Sequence, residues 1–130
     1  VREFVQRAFF ELGARIAFEG QGEAEVGRVA DADRNALQAT CAEFGSGSGD
    51  IVVSGFSVGD VVVRVDPRYY RPTEVQSLLG DPRKARERLG WQTHITFPEL
   101  VREMVREDLD HALRLYLLRK QGFAVKQRRE

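Results

Sequence analysis

Arg71 and Glu74 have types and spacing that could do chemistry, and they lie on one proline-stiffened bend. An arginine guanidinium can direct two N–H donors at a phosphate. A carboxylate can accept two hydroxyl hydrogen bonds, as from the 2′ and 3′ positions of a ribose. Pro72 fixes the backbone between them and lowers the cost of ordering both groups. The pair therefore suits a diphosphate joined to a ribose, although an exposed ion pair of little energetic value is the competing interpretation.

Three neighbours on the same bend are harder to interpret. Arg68 is assigned a structural or interfacial role. Tyr69 and Tyr70 could either line a pocket or pack the turn, because aromatic faces serve both purposes.

The rest of the chain offers no complete set of catalytic or metal-binding residues. The glycine-rich run GSGSGD, residues 45–50, lacks the spacing and the strand-to-helix context of a phosphate-binding loop, so we interpret it as a flexible linker. His94 and His111 are isolated and Cys41 has no partner at ligand spacing, so we predict no metal site. We expect His111 at the surface or its boundary and Cys41 to be inert.

Tyr116 and Lys120 form a Tyr-x-x-x-Lys pair, the spacing of the acid/base pair in short-chain dehydrogenases. No dinucleotide-binding pattern precedes them, and Tyr116 falls on the apolar stripe of a long helix. We therefore interpret Tyr116 as a core residue and predict no catalytic or cofactor-binding residue in this chain.

The length and composition indicate a protein with one modest hydrophobic core. The chain has 130 residues, of which 42% are hydrophobic and 31% charged, with a formal net charge of zero. This balance gives no support to nucleic acid or an anionic membrane as the main partner. A single cysteine, no long apolar run and no signal-peptide pattern together favour a reducing, cytoplasmic location.

Hydrophobic periodicity and capping residues locate the elements that must position the bend. The expected elements are a helix over 1–12 that ends at Gly13, a strand over 14–20, a strand over 60–66, a helix over 82–89 between Asp81 and Gly90, and a long helix that begins with a Thr96–Glu99 capping box. We predict a long loop or insertion over 20–58 and a frayed tail over 119–130. The fold class is thus a helix-rich α/β unit with a few short strands, which need helices or a neighbouring domain to cover them.

Four segments resemble the GDP-mannose 4,6-dehydratase family, within the extended short-chain dehydrogenase/reductases. They are VREFVQRAF, IAFEG, VDPRYYRPTEVQSLLGDPRKARERLGW and FPELVREMVREDLDHA. The resemblance covers nearly all of residues 1–130 and identifies them with the C-terminal, substrate-binding portion of that family. It implies that Arg71 binds the diphosphate and that Glu74 binds the ribose of GDP-mannose.

The resemblance also implies the reaction of the complete protein and a cofactor-binding portion outside residues 1–130. The family converts GDP-mannose to GDP-4-keto-6-deoxymannose, a step towards GDP-fucose and other GDP-deoxysugars, with NADP held by a Rossmann portion that is missing from this chain. We expect more residues upstream, since the chain starts inside a helix without an N-cap. We also expect a homo-oligomer when complete and no turnover by these residues alone.

Two other classes of function stay open from the sequence. One is a related GDP-sugar reductase or epimerase, which also holds its nucleotide with an arginine and an acid. The other is a non-enzymatic assembly module, such as a truncated product that joins a full-length partner.

Overall fold

The fold is an antiparallel sheet covered by helices. A computed structural model describes residues 1–43, 56–71 and 79–124. In chain order the elements are α1 (Arg2–Glu11), β1 (Ala14–Glu19), a 3-10 turn (Gly22–Ala24), β2 (Val26–Ala32), α2 (Arg34–Ala42), β3 (Val61–Arg64), α3 (Arg83–Leu89) and α4 (Phe97–Lys120). The helix-rich α/β class predicted from the sequence is therefore confirmed.

The three strands form a sheet of order β1-β2-β3, with both neighbouring pairs antiparallel. Ile16 pairs with Val29, and Gly27 pairs with Val63. Side chains alternate between the two faces of a strand, so the face that carries buried Ile16 and Val29 lies towards the core. The sheet thus places the end of β3, and the bend that follows it, at a fixed position beside β2.

Helix α1 packs on β1, and Gly13 lies in the short connection between them. Gly13 adopts a left-handed φ of +75°, and its carbonyl accepts a hydrogen bond of 2.7 Å from the Asp33 backbone N–H. A Cβ atom at Gly13 would lie only 2.7 Å from the Asp33 carbonyl oxygen. The end of α1 is therefore pinned to the start of α2, and only glycine fits there.

The interior has two connected parts. Ala14, Ile16 and Val29 are buried between the sheet and α1. In the second part, Leu37 and Cys41 of α2 pack with Leu113 of α4. The tilted rings of Phe4 and Phe97, with centroids 6.2 Å apart, join α1 to α4.

Helix α4 begins as the sequence predicts. The Thr96 side chain and the Glu99 carboxylate form a reciprocal capping box, in which Glu99 accepts from the Thr96 backbone N–H at 2.7 Å. Helix α3 starts one residue later than expected, at Arg83, and the Asp81 carboxylate accepts from the Arg83 backbone N–H. Gly90 ends it in the left-handed conformation, as predicted.

The prediction of a long loop over residues 20–58 is wrong for residues 22–42. These residues form the 3-10 turn, the central strand β2 and helix α2, and β2 is the strand that joins the other two. Residues 44–55, which include the predicted linker 45–50, lie outside the described residues. Residues 56–60 form a turn in which the Asp60 carboxylate accepts from the Ser57 backbone N–H.

Two expectations for the last helix also need correction. Tyr116 is not a core residue, because 46% of it is exposed. Helix α4 runs to Lys120, so the predicted tail over 119–130 starts inside the helix, and residues 125–130 lie outside the described part. None of the described helices combines the length and the apolar character that crossing a membrane requires.

Candidate functional site

A cavity of about 690 Å³ opens between the start of α1, the sheet and the bend after β3. Its apolar lining comes from Val1, Val5, Phe18, Val63 and Val65. Its charged and aromatic lining comes from Arg2, Glu25, Arg64, Asp66, Tyr69, Tyr70 and Arg71. A mostly apolar cleft with a few convergent polar groups is the usual form of a small-molecule site.

The bend itself is a turn stabilised by Asp66. The Tyr69 backbone N–H donates to the Asp66 carbonyl at 3.0 Å, and the Asp66 carboxylate accepts from both the backbone N–H and the guanidinium of Arg68. The hydrogen bonds from Arg68 hold the pKa of Asp66 below its ordinary value, and the pKa of Arg68 is raised in return. The Arg68 guanidinium also lies 5.6 Å from the Tyr69 ring centroid. Arg68 therefore takes part in the hydrogen bonds of the turn, and its structural or interfacial role stays a prediction.

Arg71 follows this turn and lines the cavity. It is exposed, and within residues 1–43, 56–71 and 79–124 no carboxylate lies within ion-pair distance of it. Its guanidinium is thus available to an anion that enters the cavity, as far as the described residues are concerned. Glu74, the second predicted site residue, lies outside the described residues.

Tyr69 and Tyr70 both line the cavity, and Tyr70 also packs against the 3-10 turn, so the two roles considered for them stay predictions. Tyr69 is 78% exposed and Tyr70 is 37% exposed. Tyr70 lies against the 3-10 turn at Gly22, where a Cβ atom would be 3.1 Å from its hydroxyl oxygen. The 3-10 turn therefore supports the Tyr70 side chain, whereas Tyr69 is mostly exposed to solvent.

The charges around the cavity favour an anionic ligand. Among the described residues, three arginines and two carboxylates line it, so one positive charge is in excess in that part of the chain. Both carboxylates are already paired, Asp66 with Arg68 and Glu25 with Arg2, whose Nε lies 2.5 Å from Glu25 Oε1. Arg68 is not part of the lining, so its pairing with Asp66 further reduces negative charge inside the cavity.

The other candidates do not come together as a site. His111 is exposed, as predicted, and Cys41 is 1% exposed with a thiol pKa raised by burial. Across the described ranges no group of three or more acidic, histidine or cysteine side chains could hold a metal ion. Tyr116 and Lys120 lie in the last turns of α4, and neither lines the cavity.

Comparison with known proteins places the chain in a family. A family model described as GDP-mannose 4,6 dehydratase matches residues 1–104. Among curated proteins, a GDP-mannose 4,6-dehydratase of Yersinia enterocolitica is 42% identical over 125 residues, and one of Vibrio cholerae is 43% identical over 125 residues. The Homo sapiens GDP-mannose 4,6 dehydratase is 41% identical over 110 residues.

The chain therefore belongs to the GDP-mannose 4,6 dehydratase family, as the resemblance indicates. The two bacterial alignments cover 96% of this chain but only 29% of each relative, and the human alignment covers 85% and 23%. The chain thus spans less than a third of the length of the curated relatives that it matches.

Arg71 could be identified from the sequence, but the residues that surround it in the cavity were missed. Arg2 and Glu25 lie 23 residues apart in the chain and meet only after α1 packs on the sheet. Arg64 was also missed, although it comes seven residues before Arg71 and is the last residue of β3. The excess of basic residues in this part of the sequence was the one available indication.

Proposed function

We propose that this chain is the nucleotide-sugar-binding portion of a GDP-mannose 4,6-dehydratase. The complete protein would be a lyase that converts GDP-mannose to GDP-4-keto-6-deoxymannose with loss of water, on the way to GDP-fucose and other GDP-deoxysugars. The observation that carries the proposal is Arg71 in a cavity whose described lining has an excess of positive charge, in a chain of this family. This class of enzyme is an extended short-chain dehydrogenase/reductase.

The residues of this chain would bind and orient the substrate. Arg71 would donate two hydrogen bonds to the diphosphate, the geometry in which arginine exceeds lysine. Glu74 would accept hydrogen bonds from the ribose hydroxyls. The apolar wall formed by Val5, Phe18 and Val63 would exclude water around the diphosphate and strengthen these contacts.

The cofactor would be NADP, which supplies hydride chemistry when bound. The described residues contain no glycine-rich strand-to-helix turn, so they do not fit a dinucleotide and no step of the reaction is assigned to them. NADP would belong to a Rossmann portion elsewhere in the complete protein. The chain alone would therefore bind substrate at most and would not turn it over.

The exposed apolar side chains support a larger neighbour within the same protein. Leu89 is 80% exposed and Ile95 is 51% exposed, and α3 makes no substantial contact with the other described helices and strands. The neighbouring Trp91 and Phe97 are also among the exposed apolar residues. Such a surface is costly in water and would be covered by the Rossmann portion. The complete enzyme would be a cytoplasmic homo-oligomer.

The test is turnover by the full-length protein that contains this chain. Purified protein with NADP is mixed with GDP-mannose, and the products are followed by mass spectrometry. The proposal expects a product that has lost one water and keeps the GDP group. Reaction only with the 4-keto sugar would instead indicate a reductase or epimerase. No reaction, together with co-purification of an active dehydratase, would indicate an assembly module.

A further inference from the structure

The 3-10 turn Gly22–Ala24 lies directly beneath Tyr70. Gly22 has a φ of +61°, and a Cβ atom there would lie 3.1 Å from the Tyr70 hydroxyl oxygen and 3.7 Å from Tyr70 Cζ. The first distance is tighter than an ordinary van der Waals contact, and the second is ordinary. A Cβ atom at Gly22 would therefore press on the hydroxyl end of Tyr70, and the phenol group would have to move by a few tenths of an ångström.

The same turn is anchored on two sides. Glu25, which follows the turn, forms an ion pair with Arg2 of α1, and its side chain is only 17% exposed. Gly20, which precedes the turn, has a φ of +83°, and a Cβ atom there would lie 2.6 Å from the Ala24 carbonyl oxygen. The turn is thus compact and tied to the first turn of α1. It can therefore hold the Tyr70 side chain that packs against it in a fixed position.

We infer that the turn Gly22–Ala24 is a positioning element for the diphosphate-binding arginine. It sets the position of Tyr70, and Tyr70 directly precedes Arg71 in the bend. The inference rests on the proposed function of Arg71. Gly22 and Glu25 would touch no substrate in this role, and they would act by fixing where the Arg71 guanidinium stands in the cavity. Because contacts to a reacting substrate lose strength with small displacements, a shift of a few tenths of an ångström at Tyr70 would weaken substrate binding.

The test compares Gly22→Ala with Gly59→Ala in the full-length enzyme. Gly59 also has a left-handed φ, +94°, but a Cβ atom there would meet nothing within 4 Å. Both variants carry the same kind of backbone strain, and only Gly22→Ala presses on Tyr70. We expect Gly22→Ala to raise the KM for GDP-mannose about 3- to 10-fold with kcat within about twofold of wild type, a modest fraction of the loss that larger misplacements cause. Gly59→Ala should leave both constants unchanged.

A second pair of variants separates displacement of Tyr70 from general loosening of the fold. Tyr70→Phe removes the hydroxyl that would clash and keeps the ring, so adding Gly22→Ala to Tyr70→Phe should no longer change KM. An equal KM increase in both backgrounds would overturn the inference. If Gly22→Ala does not fold, Glu25→Ala releases the anchor to Arg2 and removes a negative charge from the cavity lining, so an increase in KM would report the lost anchor and not a lost attraction for the anion; an unchanged KM would overturn the inference.

Failure of this inference can be told apart from failure of the proposed function. If Arg71→Ala raises KM but Gly22→Ala does not, Arg71 binds substrate and the turn does not position it. If Arg71→Ala itself leaves KM unchanged, the assignment of the diphosphate to Arg71 fails first.

Discussion

Replacing Arg71 with alanine removes the guanidinium that the account assigns to the diphosphate. The side chain lines the cavity and is exposed, and the described residues give it no ion-pair partner. Removing it should therefore cost little folding stability, because surface substitutions without buried partners are usually tolerated. The loss should fall on substrate binding instead.

The magnitude follows from hydrogen bonds to a charged group. Such bonds contribute about 1.5–3 kcal/mol, and the exposure of Arg71 places its contribution near the lower end because solvent screens the interaction. A loss of about 1.5–2 kcal/mol corresponds to a KM increase of roughly 10- to 30-fold. Arg71→Lys should fall between wild type and alanine, since lysine keeps the charge but loses the two-pronged geometry.

The assay is steady-state kinetics of the full-length enzyme with GDP-mannose. Arg83→Ala is the matched control, because Arg83 is an exposed arginine that pairs with Asp81 and does not line the cavity. We expect Arg83→Ala to change KM by less than about threefold, as for other exposed ion pairs. Equal effects of the two alanine variants, or an unchanged KM for Arg71→Ala, would refute the reasoning.

Three further predictions concern other parts of the chain. Glu74→Gln should weaken GDP binding to the full-length enzyme by about 1–2 kcal/mol in calorimetry, because the ribose hydroxyls lose a charged acceptor; equal affinity for GDP would count against the ribose assignment. Cys41 should react slowly with iodoacetamide in the native protein and quickly in denaturant, because burial raises its thiol pKa and keeps reagents out; rapid native labelling of its peptide would contradict this. Hydrogen bonds from Thr96 lower the pKa of Glu99 below its ordinary value of 4.5, so the ionised carboxylate adds stability above that pH and loses it as the pH falls through the lowered pKa. The difference in melting temperature between wild type and Glu99→Gln should therefore shrink in acid, and a difference independent of pH would show that the cap acts without its charge.

Elements with strong local patterns could be predicted from the sequence. Helix α1 has apolar residues at helical spacing and a glycine stop, and α4 carries its capping box in the letters T-x-x-E. Strand β3 is a run of three valines. In each case the local preference and the tertiary environment favour the same structure.

Strand β2 could not be predicted because its buried face contains a glycine. A Cβ atom at Gly27 would lie 3.0 Å from Val63 Cβ and 3.1 Å from Ile16 Cγ2, so the neighbouring strands fill the space that an apolar side chain would occupy. The period-2 hydrophobic pattern is therefore interrupted in the sequence. Helix α2 buries only Leu37 and Cys41, although Asp33 is an N-cap that a closer reading of its pattern could have found.

The candidate site likewise has one residue that could be predicted from the sequence and a cavity that could not. Arg71 could be named because one short segment carries its chemistry, with a family resemblance to support it. The cavity around it could not be predicted, because Arg2, Phe18 and Val63 come from three elements that meet only in the folded chain. The contact between Tyr70 and Gly22, 48 residues apart in the numbering, likewise depends on the β1–β2 connection lying under the bend.

The most direct test of the central claim is a structure of the full-length enzyme with GDP-mannose bound. We predict that the diphosphate lies in the cavity between α1 and the bend, with the Arg71 guanidinium nitrogens about 2.7–2.9 Å from its oxygens. We also predict that Tyr70 still packs against the turn at Gly22. A diphosphate bound elsewhere, with Arg71 pointing into solvent, would contradict the account.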